Sequence, residues 1–329
     1  MTITVRPPAQ VLGVGLIVVS SACFGSSGPA AKAVLSAGVG PLQVAQARAA
    51  LAAVVLMTAL AVVRPSALRV RRDEWPLLLA YGLLAFCAIQ ALYVLAVSRL
   101  PVGVALLLEY TGPVLVALWV RVVRRTVLPA STWVGVGLAV CGLAMVTQAW
   151  HGFRLDGLGA AAGLGAAAAL AAYFLLSERG LAGDRDPLGL VAWGAVIGTV
   201  PLTALAPPQS FPYGALATRV PLGPWSVPAW APLLWLAVLA YLIGVAALRY
   251  LSAQVASVLA TLEVLVAATI AWVLLGEALG PAQLAGGAVL LAGVAVVQVR
   301  RPLTLRRPLG RPLGRPLRRP GPRTPPADP

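Results

Sequence analysis

Charge is scarce in this chain. Of its 329 residues only 11% are Asp, Glu, Lys or Arg, against roughly 25% in ordinary soluble domains. Hydrophobic residues make up 60%, and the mean hydropathy is +0.89. A water-soluble fold of this length cannot bury so much apolar surface, so lipid must be its solvent. Histidine is almost missing, with His151 alone in the chain. There is no HExxH and no GxxxxGK, which removes metalloprotease and ATP-driven pump readings. The three cysteines, Cys23, Cys87 and Cys141, sit apart in apolar runs. Without CxxC or Cys/His spacing they read as small packing residues, and no metal is expected.

What is abundant is long apolar sequence. A membrane-spanning helix needs about 20 such residues. Runs of this kind fall near 11–31, 41–63, 76–98, 101–120, 132–149, 157–177, 187–206, 230–250, 254–275 and 281–299. The first resembles a signal peptide superficially, but it reads as a retained helix. Prolines punctuate most boundaries, among them Pro41, Pro65, Pro76, Pro101, Pro129, Pro187 and Pro281. The expectation is an all-α membrane protein of ten transmembrane helices.

The formal charge of +15 would point to nucleic acid if it were spread over a soluble surface. Nine of the 25 basic residues instead fall after residue 299, where Asp328 is the only acid. Positively charged short loops stay cytoplasmic. With the N-terminus inside, cytoplasmic segments hold 20 basic residues and outer segments four: Lys32, Arg99, Arg154 and Arg219. Both termini are therefore expected inside. The longest outer connection, about 207–229, is rich in proline and aromatics and reads as an interfacial loop. The tail 300–329 repeats Arg-Pro-Leu. Proline prevents helix there, so it reads as a disordered cytoplasmic segment that touches anionic lipid.

The chain also repeats itself. Shifted by 154 residues, SRLPVGVALLLEYTGPVLVAL (98–118) lies over SAQVASVLATLEVLVAATIAW (252–272), and Glu109 meets Glu263. Further on, Gly135 and Gly142 match Gly286 and Gly293. Each half is a five-helix unit, 11–150 and 156–299. Five is odd, so the second copy enters the membrane inverted. Inverted repeats mark secondary transporters, with sites near the midplane at the repeat interface.

The two halves resemble paired EamA domains of the drug/metabolite transporter superfamily. LLGEALGPAQLAGGAVLLAGVAVV (274–297) is similar to that domain's ending, and LPVGVALLLEYTGPVLVAL (100–118) resembles the homoserine/threonine exporter branch. The first half departs from the pattern, with Arg124-Arg125-Thr126 set against Gly276-Glu277-Ala278. The resemblance implies ten helices, no cofactor and efflux of small metabolites such as amino acids.

Glu109 and Glu263 both fall near the bilayer centre at 1.5 Å per residue. An acid there costs roughly 2.5–3.5 kcal/mol on insertion scales, so two at matched positions need a role. They are read as groups that bind a substrate ammonium or exchange protons; stitching of helices by protonated carboxyls is the bland alternative. Gly112-Pro113 is read as a helix break beside Glu109. Further polar groups at depth are Ser26, Ser27, Gln90, Tyr93, Tyr110, Tyr173 and Tyr241. Arg48 is expected to snorkel to the outer interface, and Glu277 and Glu178 to lie at interfaces.

The expected partners are a small-molecule substrate, the lipid bilayer and protons, with a cell-membrane location and no nucleic acid. The rival reading is an intramembrane serine protease built on GSSG (25–28). It needs a histidine base, and His151 falls in an outer loop. A non-transporting scaffold is the third class, disfavoured because scaffolds need no acids at the midplane.

Overall fold

The computed structural model describes residues 19, 21–146, 156–180, 187–236 and 253–299. The tail 300–329, His151, Tyr241, residues 11–18 and 20 of the expected first span and most of the expected eighth lie outside the described residues. Among these residues the helices are α1 (Ser27–Ser36), α2 (Pro41–Val63), α3 (Trp75–Tyr81), α4 (Ile89–Arg99), α5 (Val102–Glu109) and α6 (Gly112–Val122). They continue as α7 (Ala130–Val146), α8 (Gly157–Gly180), α9 (Pro187–Leu205), α10 (Trp230–Leu234), α11 (Ala253–Leu275) and α12 (Pro281–Val299).

Among the described residues four stretches are long and apolar enough to cross a membrane: Pro41–Val63, Arg72–Arg99, Val102–Val122 and Gly157–Leu176. Four shorter apolar helices cover Ala130–Val146, Gly189–Leu205, Glu263–Leu275 and Pro281–Val297. Large apolar side chains face outward on many of them, including Val54, Trp119, Val134, Val200 and Trp272. An apolar belt of that extent suits acyl chains and not water.

Local chemistry sets the helix starts. Pro41 and Pro281 occupy the first helical position, where the missing N–H costs nothing. Two residues on, the Gln43 and Gln283 side chains reach back to accept the Gly40 and Gly280 amides at 2.8 and 3.0 Å. The same Gly-Pro-x-Gln device thus opens a helix in each half. Helix ends repeat as well. Gly276 after α11 has φ +71°, and Arg125 after α6 has φ +52°. Thr126 N–H donates to the Val120 carbonyl, and Glu277 N–H to Ala271, over the same six-residue reach. The turn therefore pairs Arg125 with Gly276, one place from the sequence match. Arg125 adopts it without glycine, at a cost of roughly 1–2 kcal/mol.

The tightest packing joins α7 to α12. A Cβ added to Gly135 would meet the Gly293 carbonyl at 2.8 Å, and one on Gly142 would meet the Gly286 carbonyl at 2.6 Å. Gly135 faces Gly293 while Gly142 faces Gly286, so the two helices run antiparallel. Small residues let backbones approach where lipid supplies no hydrophobic drive between helices. The four glycines matched between the halves in sequence thus meet each other in this seam.

Two local departures stand out. The 207–229 loop is not irregular throughout: it carries an antiparallel hairpin of β1 (Arg219–Leu222) and β2 (Trp225–Pro228). Among the described residues this ribbon is the one departure from helix and turn. The third expected span is also interrupted, by a π-helical stretch over Gly82–Ala88 between α3 and α4.

Candidate functional site

The expected break beside Glu109 falls at Tyr110–Thr111, before the Gly-Pro pair and not at it. Glu109 ends α5, and Gly112-Pro113 open α6. Thr111 tightens the turn, its amide and Oγ1 both donating to the Leu108 carbonyl at 3.1 and 2.7 Å. Pro113 has no N–H, so the Glu109 carbonyl loses the donor a continuous helix would supply. Gly112 permits close contact with α8, since a Cβ there would lie 3.1 Å from the Ala167 carbonyl. The matched helix α11 runs unbroken past Glu263.

The break aims Tyr110 across the molecule. Its hydroxyl donates to Glu263 Oε2 at 2.6 Å, joining α11 to the turn between α5 and α6. That length is typical of a hydroxyl bonded to a carboxylate. Gly25 brings the preceding chain against the same place, as a Cβ there would lie 2.8 Å from the Glu263 carbonyl. Ser26 follows; its Oγ donates to the Cys23 carbonyl at 2.8 Å and accepts from Trp235 Nε1 at 2.7 Å. Side-chain substitution at Gly28 would collide with Val102 and with the Tyr93 hydroxyl. Chain 25–28, Tyr93, Tyr110 and Glu263 therefore converge.

Tyr93 is 5% exposed, and its buried hydroxyl lies beside Ser27. Glu109 makes no hydrogen bond or ion pair among the described residues, and it lies within electrostatic range of Glu263. Arg48 lies within range of both carboxylates and of Tyr93. It is 5% exposed, which overturns the snorkelling expectation: the guanidinium turns inward from α2. Depth along a helix was legible, but the face was not.

Other expected residues go elsewhere. Tyr173 packs its ring at a tilt against Tyr81, with ring centroids 5.3 Å apart, in an apolar cluster that includes Phe86 and Leu190. Gln90 is half-buried on α4. Ser27, the protease candidate, is 5% exposed within α1. No group of three or more His, Cys, Asp or Glu side chains suited to a metal occurs among the described residues.

Two contacts were not anticipated. Trp235 had no signal beyond its apolar neighbours. Glu277, expected at an interface, forms an ion pair with Lys32 and accepts the Val102 amide at 2.9 Å. Lys32 also donates to the Leu100 carbonyl at 2.9 Å. The cluster ties α1, the start of α5 and the α11–α12 turn at one end of the bundle. The opposite charges of Lys32 and Glu277 were the available clue.

Helices packed for lipid, a glycine seam between matched antiparallel elements and a polar focus joining the two halves define a two-repeat membrane transporter. The model of the EamA-like transporter family matches residues 11–148 and 157–299, and the chain belongs to that family. The threonine/homoserine exporter RhtA of Escherichia coli (strain K12) is 31% identical over 263 residues, covering 78% of this chain and 81% of that protein. The protein of the same name from Salmonella typhimurium (strain LT2) is 32% identical over 275 residues, covering 82% and 84%. A solved crystal structure, 18% identical with a TM-score of 0.55, covers 86% of this chain and 96% of its own. That likeness concerns the fold alone.

Proposed function

We propose that this protein is a secondary transporter that exports small polar metabolites, amino acids above all, across the inner membrane. In this reading ten helices form two inverted repeats, 11–150 and 156–299. They rock about a central site between cytoplasmic termini, with the tail 300–329 on the cytoplasmic face. Glu109 and Glu263 bind the substrate ammonium or exchange protons, and Tyr110 sets the Glu263 carboxylate. The observation that carries the reading is the 31% identity to a threonine/homoserine exporter across 78% of the chain. The Tyr110–Glu263 bond supports it by linking the halves where transporters of inverted repeats hold their sites.

No covalent chemistry is needed, and the GSSG protease reading draws no support from the relatives. The test is flux of labelled threonine and homoserine into proteoliposomes, with and without a pH gradient. Accumulation that depends on the protein is expected; if no labelled solute moves under either condition, the exporter reading fails. Glu109→Gln is expected to abolish pH-dependent flux. Unchanged rate and pH profile would remove Glu109 from the site.

A further inference from the structure

The connection from α2 to α3, residues 64–74, carries Arg64, Arg69, Arg71 and Arg72, and its backbone is pinned rather than slack. Two 3-10 turns, Pro65–Leu68 and Arg72–Glu74, frame it. The Leu68 carbonyl accepts Trp193 Nε1 from α9 at 3.0 Å. A Cβ on Gly189, also of α9, would collide with the Ala67 carbonyl. At the other end the Arg71 amide donates to Glu74 Oε2 at 2.8 Å. Arg69 and Arg71 are extended, so side chains alternate between two faces. Leu68 and Val70 pack on the apolar cluster around Leu78 and Leu190. Arg69 and Arg71 take the outer face, and both are exposed, as is Arg72. Arg71 Nε lies 3.3 Å from Asp73, but with side chains 80% and 70% exposed that pair is weak.

This basic ribbon runs along the rim of an apolar surface. Val62 and Val63 end α2 exposed, and Trp75, Leu79 and Leu83 are exposed on the other side of it. Trp75 meets Trp193 edge to face, with ring centroids 5.6 Å apart. Tryptophans at such a boundary sit at headgroup level.

We propose that residues 64–74 form a headgroup seat for an anionic phospholipid. Arg69, Arg71 and Arg72 hold its phosphate, and its chains lie along the exposed faces of α2 and α3. Arginine suits a phosphate because its planar fork offers two parallel N–H bonds. Charge complementarity selects an anionic headgroup. The contiguous apolar surface selects a lipid over a soluble anion, and a pinned backbone lowers the cost of ordering the site.

The experiment uses the full chain reconstituted in phosphatidylcholine vesicles. A minor fraction of lipid, either phosphatidylglycerol or phosphatidylcholine, carries brominated chains that quench tryptophan on contact. The signal of Trp75 is the difference between wild type and Trp75→Phe. The signal of Trp272, exposed on α11, is obtained likewise from Trp272→Phe. Trp75 is expected to be half-quenched by about tenfold less brominated phosphatidylglycerol than brominated phosphatidylcholine, and Trp272 by equal amounts of the two. Replacing Arg69, Arg71 and Arg72 together by Gln should cut the preference at Trp75 below about threefold; replacing them by Lys should keep part of it.

An equal preference at Trp75 and Trp272, or one that survives the triple Gln variant, overturns the seat. Inorganic phosphate, added at an ionic strength matched with chloride, should displace no more lipid than chloride does. Selective loss with phosphate would assign the arginines to a soluble anion and overturn the lipid. Should the triple variant fail to fold, Arg69→Gln and Arg72→Gln singly, each expected to lower the preference about twofold, still decide. No flux is measured, so failure here leaves the exporter reading untouched, and failure of that reading leaves the seat standing.

Discussion

Gly142 and Gly137 lie on one helix, five residues apart, and their environments differ completely. A Cβ on Gly142 would come 2.6 Å from the Gly286 carbonyl and closer still to the Leu290 amide, both backbone atoms. A Cβ on Gly137 would meet nothing within 4 Å. Alanine at either position gains the same relief of helix entropy, about 0.5–1 kcal/mol. Only Gly142→Ala forces α7 and α12 apart, and overpacking of that kind costs about 1–3 kcal/mol. The shared gain cancels in the comparison, so Gly142→Ala is expected to be about 1–3 kcal/mol less stable than Gly137→Ala. At about 2–4 °C per kcal/mol, the scale for chains of 150–250 residues, the gap is several degrees in detergent. Size-exclusion thermal profiles of the two variants measure it. Gly286→Ala should match Gly142→Ala, because the two residues face each other. The double variant should lose less than the sum, since one displacement of the helices serves both methyl groups. Equal melting of Gly142→Ala and Gly137→Ala would refute the account of the seam.

The Lys32–Glu277 pair closes one end of the bundle, with side chains 28% and 17% exposed. Lys32→Met should favour opening there by about 1–2 kcal/mol, less than the 3–5 kcal/mol typical of a fully buried pair. A cysteine placed at Ser26 should then react about tenfold faster with an impermeant maleimide, and charge exchange (Lys32→Glu with Glu277→Lys), which keeps the ion pair but loses the bonds to the Leu100 carbonyl and Val102 amide, should restore only part of the slow rate; equal labelling in all three proteins argues against a latch. Asp156 lies at the start of α8, outside the spans. The Gly159 amide, which donates to Oδ1 at 2.7 Å, and then Arg99 at 3.2 Å hold its carboxyl below the usual carboxylate range. Its stabilisation is therefore present above the unfolded value and fades as pH falls through the lowered one. Asp156→Asn should melt lower than wild type near neutrality, with the difference shrinking toward acid; a gap independent of pH would deny the carboxylate that role.

Much of the architecture was legible because lipid imposes simple rules. Length of apolar run and placement of proline located α2, α7, α9 and α12, while the matched glycines were visible in sequence but not that they face each other across α7 and α12. The pairing of Glu109 with Glu263 singled out two residues that the fold brings into electrostatic range. What failed to show was direction around a helix. Arg48 had the right depth to snorkel, yet α2 turns that face toward the carboxylates. Tyr110 and Tyr173 looked alike as aromatics at depth, but one bonds Glu263 and the other packs against the ring of Tyr81. Long-range pairs such as Lys32–Glu277 and Ser26–Trp235 join residues 245 and 209 positions apart, and no local pattern encodes them.

The halves are matched in turn, cap and seam, yet they differ where the chemistry sits. In the first half the span is broken at Tyr110–Thr111; in the second, α11 is continuous through Glu263. If the break served only to bend the helix, its position relative to Glu109 would be immaterial. It instead places Glu109 at a helix end, where its own carbonyl lacks a donor, and swings the next residue onto the opposite carboxylate. One acid is thereby tied and its counterpart left open. A symmetric pair with both acids tied would have no group ready for a ligand, and with both open would place two unsupported acids at the midplane. Under the proposed function, the asymmetry lets one symmetric scaffold hold one acid in place and offer the other to a ligand.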